Sequence, residues 1–389
     1  IIPDSVTSLE DNSFSNCHSL TDLKLPQNLT EIGKHVFTSC SSLTKIEIPG
    51  SVASIGEYSF NDCSSLTEVV VPNALQEINQ FTFSGCSSLE KVTIPSSVTK
   101  IDTSAFRNCS SLTEVEIPSS VTEIGKECFS DCSSLKSASI SAAPLTIINK
   151  ATFIKCSSLA EIEIPSTVTI IDNDSFMGCS SLTKIIVPQS VTKIKDNAFN
   201  DCTSITTVQL PDALTGIGSG CFKNCSSLTE IVLPVNTSAI GSYAFNNCSS
   251  LEQITINSSG VRFGVSIFKG CTSLTTVLNP SPIKVNIAKP LIGLSSKVKV
   301  EKIDVPEENK EQPAAEKPAG AQEPSSQKQE QKPDENPAAQ TPPQPPQPEE
   351  EKLSTPAPAQ TPAVQSPEAD TPAAALAEAE ADQSDNSSN

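Results

Sequence analysis

A chain of 389 residues with 37% apolar and 4% aromatic side chains, no tryptophan and a net charge of -19 lacks the composition of one compact enzyme. The imbalance is local, because residues 301–389 hold 16 of the 30 prolines and a net charge of -13, with no aromatic residue and no cysteine. There is no basic stripe to meet phosphate and no apolar run near the roughly 18 residues of a membrane helix, so neither nucleic acid nor direct membrane insertion is expected.

The chain opens on Ile1-Ile2-Pro3, with no basic, apolar and small-residue leader, and reads as a fragment. A repeat then begins. Cysteines stand at Cys17, Cys40, Cys63, Cys86, Cys109, Cys132, Cys156, Cys179, Cys202, Cys225, Cys248 and Cys271, spaced by 23 residues except for one step of 24. Three residues before each stands a phenylalanine: Phe14, Phe37, Phe60, Phe83, Phe106, Phe129, Phe153, Phe176, Phe199, Phe222, Phe245 and Phe268. A fixed period in this range signals a solenoid, in which each unit buries its apolar side chains only against its neighbours. The longer step falls at Ser141-Ala142-Ala143-Pro144 and reads as a loop insertion.

Within one unit, Val115-Glu116-Ile117 alternates at period two and Pro118 ends it, so each turn should add one short strand in parallel to the last. Ile162-Glu163-Ile164 is an equivalent. Cys128, Phe129 and Cys132 suit a short helical or tightly turned segment on the other side. The column Gly33, Gly56, Asn79, Asp102, Gly125, Asn149 favours residues that tolerate positive φ, so a turn is expected there. Ahead of the strands, Asp22, Lys45, Glu68, Lys91 and Glu114 alternate in sign, as lateral neighbours in an in-register stack would.

The cysteine ladder lacks the close pairs of a zinc site, and His18 and His35 are too few to complete one, so no metal or other cofactor is expected. Disulfides between turns are within reach, but in-register side chains point the same way, which strains the bond; buried free thiols are the simpler reading. Paired serines such as Ser110-Ser111 read as turn hydroxyls, and no Ser/His/Asp or Cys/His set is available. Catalysis is not expected.

The strings CSSLTEVEIPSSVTEIG and CSSLTKIIVPQSVTKI, with the closing Phe and Cys, resemble the 23-residue leucine-rich repeat of the BspA-like surface proteins of treponemes, oral anaerobes and protozoa. The Ser- and Asn-rich units with a Pro-rich acidic tail are most similar to the protozoan, trichomonad-like branch. The resemblance covers about residues 1 to 278 and weakens where Thr237 and Gly260 replace the usual Val. It implies a right-handed leucine-rich-repeat coil with a parallel sheet on one face and turns or short helices on the other. It also implies a cell-surface or secreted adhesin that binds host-cell or matrix proteins. An intracellular scaffold whose tail recruits signalling domains is the alternative, favoured by the many unpaired thiols.

The expected organisation is a solenoid of about twelve turns over 1–278, a C-terminal capping segment over 279–300 and a disordered acidic tail over 301–389. In the tail, residues 341–348 favour polyproline II and 373–382 a transient helix. The residue between the two inward positions of each strand faces outward. Val70, Glu116, Glu163, Ile186, Val232 and Leu278 are accordingly the candidate protein-binding residues, with Ile186 and Val232 at their centre. Asn28, Asn236 and Asn257 are the better sequons for glycosylation.

Overall fold

The computed structural model describes residues 2–304. The acidic tail from residue 305 on, with its polyproline run and the helix expected at 373–382, lies outside the described residues. Short strands recur along one face from Asp22–Lys24 and Lys45–Glu47 through Glu114–Glu116 to Thr276–Leu278 and Lys299–Glu301. Each paired strand meets its neighbour in parallel, one repeat on: Asp22 opposes Lys45, Glu68 opposes Lys91, and Glu114 opposes Ser137. The alternating charges thus become lateral neighbours of opposite sign. One expected strand is reduced to a bridge, since around Ile162-Glu163-Ile164 only Ser137 and Glu161 pair. This is the first turn after the insertion at Ser141–Pro144, and Ile162 there is only half-buried.

A second column of two-residue strands, such as Glu123–Ile124 and Lys193–Ile194, runs beside the first. Between it and the cysteines the chain forms no helix. It runs as successive tight turns, with Arg107 N donating to Ser104 O and Cys109 N to Phe106 O, while Phe106 N donates to Cys128 O at 2.9 Å and Asn108 N to Ser130 O at 2.8 Å in the next turn. Two columns hold this course with positive φ. One is the residue before each ladder cysteine, including Asn108, Asp131 and Gly178; the other includes His35, Tyr58, Phe81 and Glu127.

The glycine column behaves differently from its sequence reading. Gly33, Gly56, Gly125, Gly218 and Gly241 are not among the positive-φ residues. Their lack of a side chain serves close approach instead: a Cβ on Gly125 would overlap the backbone of Asp102 and Thr103, and one on Gly56 would lie 2.6 Å from Gly33 C. Where the column holds asparagine, its amide bonds the backbone, as Asn149 Nδ2 does to Ile124 O at 2.7 Å.

The core is built of parallel columns of stacked side chains, with leucine, isoleucine, valine and cysteine columns beside the phenylalanines. Successive phenylalanine rings lie 5.1–5.9 Å apart, centroid to centroid, from Phe14 to Phe268. All are buried except Phe14, which is half-buried in the first turn. After residue 278 the helix Pro282–Ile292 starts on a proline, where the missing N–H costs nothing, and ends on Gly293 in the left-handed conformation. It buries Val285 and Ile292, and strand Lys299–Glu301 then pairs with Thr276–Leu278 as a further turn, making about thirteen.

Candidate protein-binding face

The strands present their third residues to solvent because the side-chain period of two sends the second, such as Val115 or Ile185, into the core. Val70, Ile186 and Val232 are 56%, 51% and 53% exposed. Glu116 and Glu163 are exposed beside them. Leu278 departs from this group: it is half-buried, on the strand that pairs with Lys299–Glu301.

The apolar residues do not merge into one patch. Ile186 opposes Gln209, and Val232 lies in the turn after Gln209, so Ile186 and Val232 stand two turns, about 10 Å, apart. A shallow cavity of about 350 Å³ joins Val232 to Gln209, Asp212, Glu230 and Pro234. Val70 opposes Thr93 and stands five turns from Ile186, alone among polar neighbours.

A second depression, of about 560 Å³, was not singled out from sequence; it is lined by Lys91, Thr93, Glu114, Glu116, Ser137 and Ser139. Ser137-Ala138-Ser139 is the one turn whose strand carries only small residues, and this makes the notch. Glu114 opposes Ser137 on one side, and Glu161 bridges to it on the other. The signal was available in the serines, whose small size reads as a gap only once neighbouring strands are placed in register.

The cysteines form no reactive site. Eleven of them, from Cys40 to Cys271, donate Sγ–H to the carbonyl of the phenylalanine 26 or 27 residues back, at 3.0–3.2 Å. All 14 are free; twelve are buried, Cys271 is half-buried and Cys17 is exposed. Burial pushes Cys40 up to about 11 and Cys132 up to about 12, and drives the thiols between Cys156 and Cys225 upward as well. Among the described residues no cluster of three His, Cys, Asp or Glu side chains could hold a metal ion, and no helix is long and apolar enough to cross a membrane.

The BspA-type leucine-rich repeat region model matches residues 1–111, 76–206 and 169–290, which together span most of the chain. The chain belongs to the BspA-type leucine-rich repeat family. A leucine-rich cell surface protein from Faecalibacterium prausnitzii is similar at 30% identity, with 72% of this chain and 78% of that one covered and a TM-score of 0.50. A leucine-rich repeat protein from Bacteroides ovatus is similar at 25% identity over 74% of this chain and 93% of that one, with a TM-score of 0.42. The leucine-rich repeat protein of T. pallidum shares 28% identity over 60% of this chain and 85% of that one, with a TM-score of 0.36. No curated protein matches the chain. A protein-binding repeat role fits a solenoid of this type.

The three sequons fall at different depths. Asn28 and Asn236 are exposed, with Nδ2 directed to Asp4 O and Asp212 O, whereas Asn257 is half-buried beside buried Ser258.

Proposed function

We propose that this chain is a non-catalytic surface or secreted adhesin or antigen that binds host-cell or matrix proteins through its sheet face. The observation that carries the reading is the exposure of Ile186 and Val232 on either side of Gln209, on strands held rigid by a buried core. Val70, Glu116 and Glu163 would extend the footprint toward the N-terminal turns, and Leu278 would mark its C-terminal limit. Membership of the BspA-type family, and similarity to a Faecalibacterium protein described as a cell surface protein, support the location. Glycans at Asn28 and Asn236 would fit it too.

The intracellular alternative drew on the number of free thiols. Their burial removes that support, since a thiol shielded from solvent and held protonated survives oxidising surroundings as well as reducing ones. The test is binding of the chain to cultured host cells and to immobilised matrix extract, compared with an Ile186→Glu/Val232→Glu variant. Loss of binding with an unchanged melting curve is expected. Equal binding by the variant would move the site elsewhere, and no binding by the parent chain would end the adhesin reading.

A further inference from the structure

The outward charges of the sheet face follow a rule that breaks at one place. The first strand residue alternates in sign through Asp22, Lys45, Glu68, Lys91 and Glu114, and alternates again at Glu161 and Lys184. Between Glu114 and Glu161, where the rule calls for a cation, stands Ser137. The third strand residue repeats the gap, since Ser139 lies between Glu116 and Glu163. Four exposed carboxylates therefore surround two serines. Among the described residues none of the four makes an ion pair, although Lys45 and Glu47 do on the same face.

The gap has room for a side chain. The cavity of about 560 Å³ reaches Ser137 and Ser139 from the side of Glu114 and Glu116. Adjacent strands lie about 4.8 Å apart, so the glutamates on either side of the serines stand on strands about 10 Å apart, and their side chains can close on one cation between them. A planar guanidinium donates to carboxylates on both sides at once, which an ammonium does less well. Three turns on, about 14 Å along the same face, Gln209 separates Ile186 from Val232. Around Gln209 the strand is also less covered: Val208 and Leu210 are half-buried, whereas Ile185, Val187, Ile231 and Leu233 in the flanking turns are buried.

We propose that the sheet face binds an extended segment of a partner protein that lies along the solenoid and carries an arginine four residues from a large apolar side chain. The arginine sits over Ser137 and Ser139, and the apolar group over Gln209 between Ile186 and Val232. This rests on the reading of the sheet face as the binding surface. An extended chain advances about 3.3 Å per residue, so four residues span about 13 Å, and an even separation keeps both side chains on one side of it. A separation of three or five would turn one of them away. The chain's own tail is not this ligand: residues 301–389 carry a net charge of -13, and none of Lys310, Lys317, Lys328, Lys332 and Lys352 lies four residues from a valine, isoleucine, leucine or phenylalanine.

Selection of a library of random nine-residue peptides on the immobilised full chain tests this. Enriched sequences should share an arginine and, four positions before or after it, a leucine, isoleucine, valine or phenylalanine. The affinity of an enriched peptide should fall roughly tenfold when one residue is inserted between the two anchors, and by a similar factor with Glu116→Gln/Glu163→Gln or with Ile186→Ser/Val232→Ser. It should also weaken as salt rises. Each variant's melting curve is recorded to show that it folds. Failure to enrich such sequences overturns the proposal, as does an affinity indifferent to the inserted residue or to Glu116→Gln/Glu163→Gln. The wider reading is judged apart from it. Cell and matrix binding that is lost with Ile186→Glu/Val232→Glu but kept with Glu116→Gln/Glu163→Gln would retain the face and remove this ligand, whereas a chain that binds the peptides but neither cells nor matrix would retain the ligand and end the adhesin reading.

Discussion

The thiol of Cys132 donates to the carbonyl of Phe106 at 3.2 Å, one turn back along the solenoid. The same carbonyl accepts the N–H of Cys109 at 3.3 Å, so each ladder carbonyl from Phe14 to Phe245 serves a backbone donor from its own turn and a thiol from the next. Cys132→Ala would leave that carbonyl its backbone donor and remove only the sulfur's packing and a weak bond. A loss of about 1 to 2 kcal/mol is expected in urea melts. Cys17→Ala, at an exposed position, should change stability by less than about 0.5 kcal/mol.

Burial also sorts the thiols by accessibility. In the native chain a thiol-specific chromogenic probe should react with Cys17 at once and Cys271 slowly, while the twelve buried cysteines react only on unfolding. Denaturation without reductant should bring the total to 14. A native count well above two would mean that the ladder opens readily to solvent, and a denatured count near zero would mean that the thiols are paired.

The ladder makes the fold sensitive to alkali. Burial raises the folded thiols, Cys40 to about 11 and Cys132 to about 12, from an ordinary 9.0. The folded state therefore holds its protons where the unfolded state has released them. The stabilisation is complete below pH 9 and declines as pH rises from there toward 11 and 12. Each buried thiol subtracts up to about 1.4 kcal/mol per pH unit within that window, and the effects accumulate along the ladder. Thermal melts should be flat in this respect from pH 7 to 8.5 and fall steeply above about pH 9.5.

The fold was legible because its repeat places the same residue at the same depth in each turn, and periodicity alone separates Phe106 from Glu116. The outward side of the strands followed from the same argument. What escaped was the turn geometry. The left-handed residue before each cysteine carries a readable signature in Asn108, Asp131 and Gly178, but the second left-handed column mixes Asn12, Asp174 and Asn197 with Tyr58, Phe81 and Glu127, which dilutes it. There the ladder of backbone hydrogen bonds to the next turn overrides local preference. Gly125 misled for the complementary reason: glycine marks positive φ and close backbone approach alike, and only the neighbouring turn tells them apart. On the candidate face, the distance between Ile186 and Val232 depended on a strand outside their own repeats.

The phenylalanine column should dominate stability at mid-ladder. Phe129 is fully buried, with Phe106 and Phe153 each 5.6 Å away and nearly parallel to it. Phe129→Ala removes a ring that two neighbours rest on and should cost about 3 to 5 kcal/mol. Phe14→Ala, with one stacked neighbour and partial exposure, should cost about half of that or less. Denaturant melts of the two variants provide the comparison; equal losses would show that the end turn is as well packed as the middle.

Thr237 offers the reverse test, a substitution that should stabilise. It occupies the inward position held by Val191 and Leu214 in earlier turns, and it is fully buried with its Oγ1 making no hydrogen bond. Valine has nearly the same shape and no hydroxyl to desolvate, so Thr237→Val exchanges an unsatisfied polar atom for a methyl group in an apolar column. Stability should rise by about 1 kcal/mol or slightly more, seen as a higher urea midpoint with an unchanged slope. The neighbouring Ser238 keeps its own bond to Thr215 O at 2.9 Å and is untouched by the change. A midpoint that falls would mean that the Thr237 hydroxyl has a partner in solution, and that this turn packs less tightly than its burial indicates.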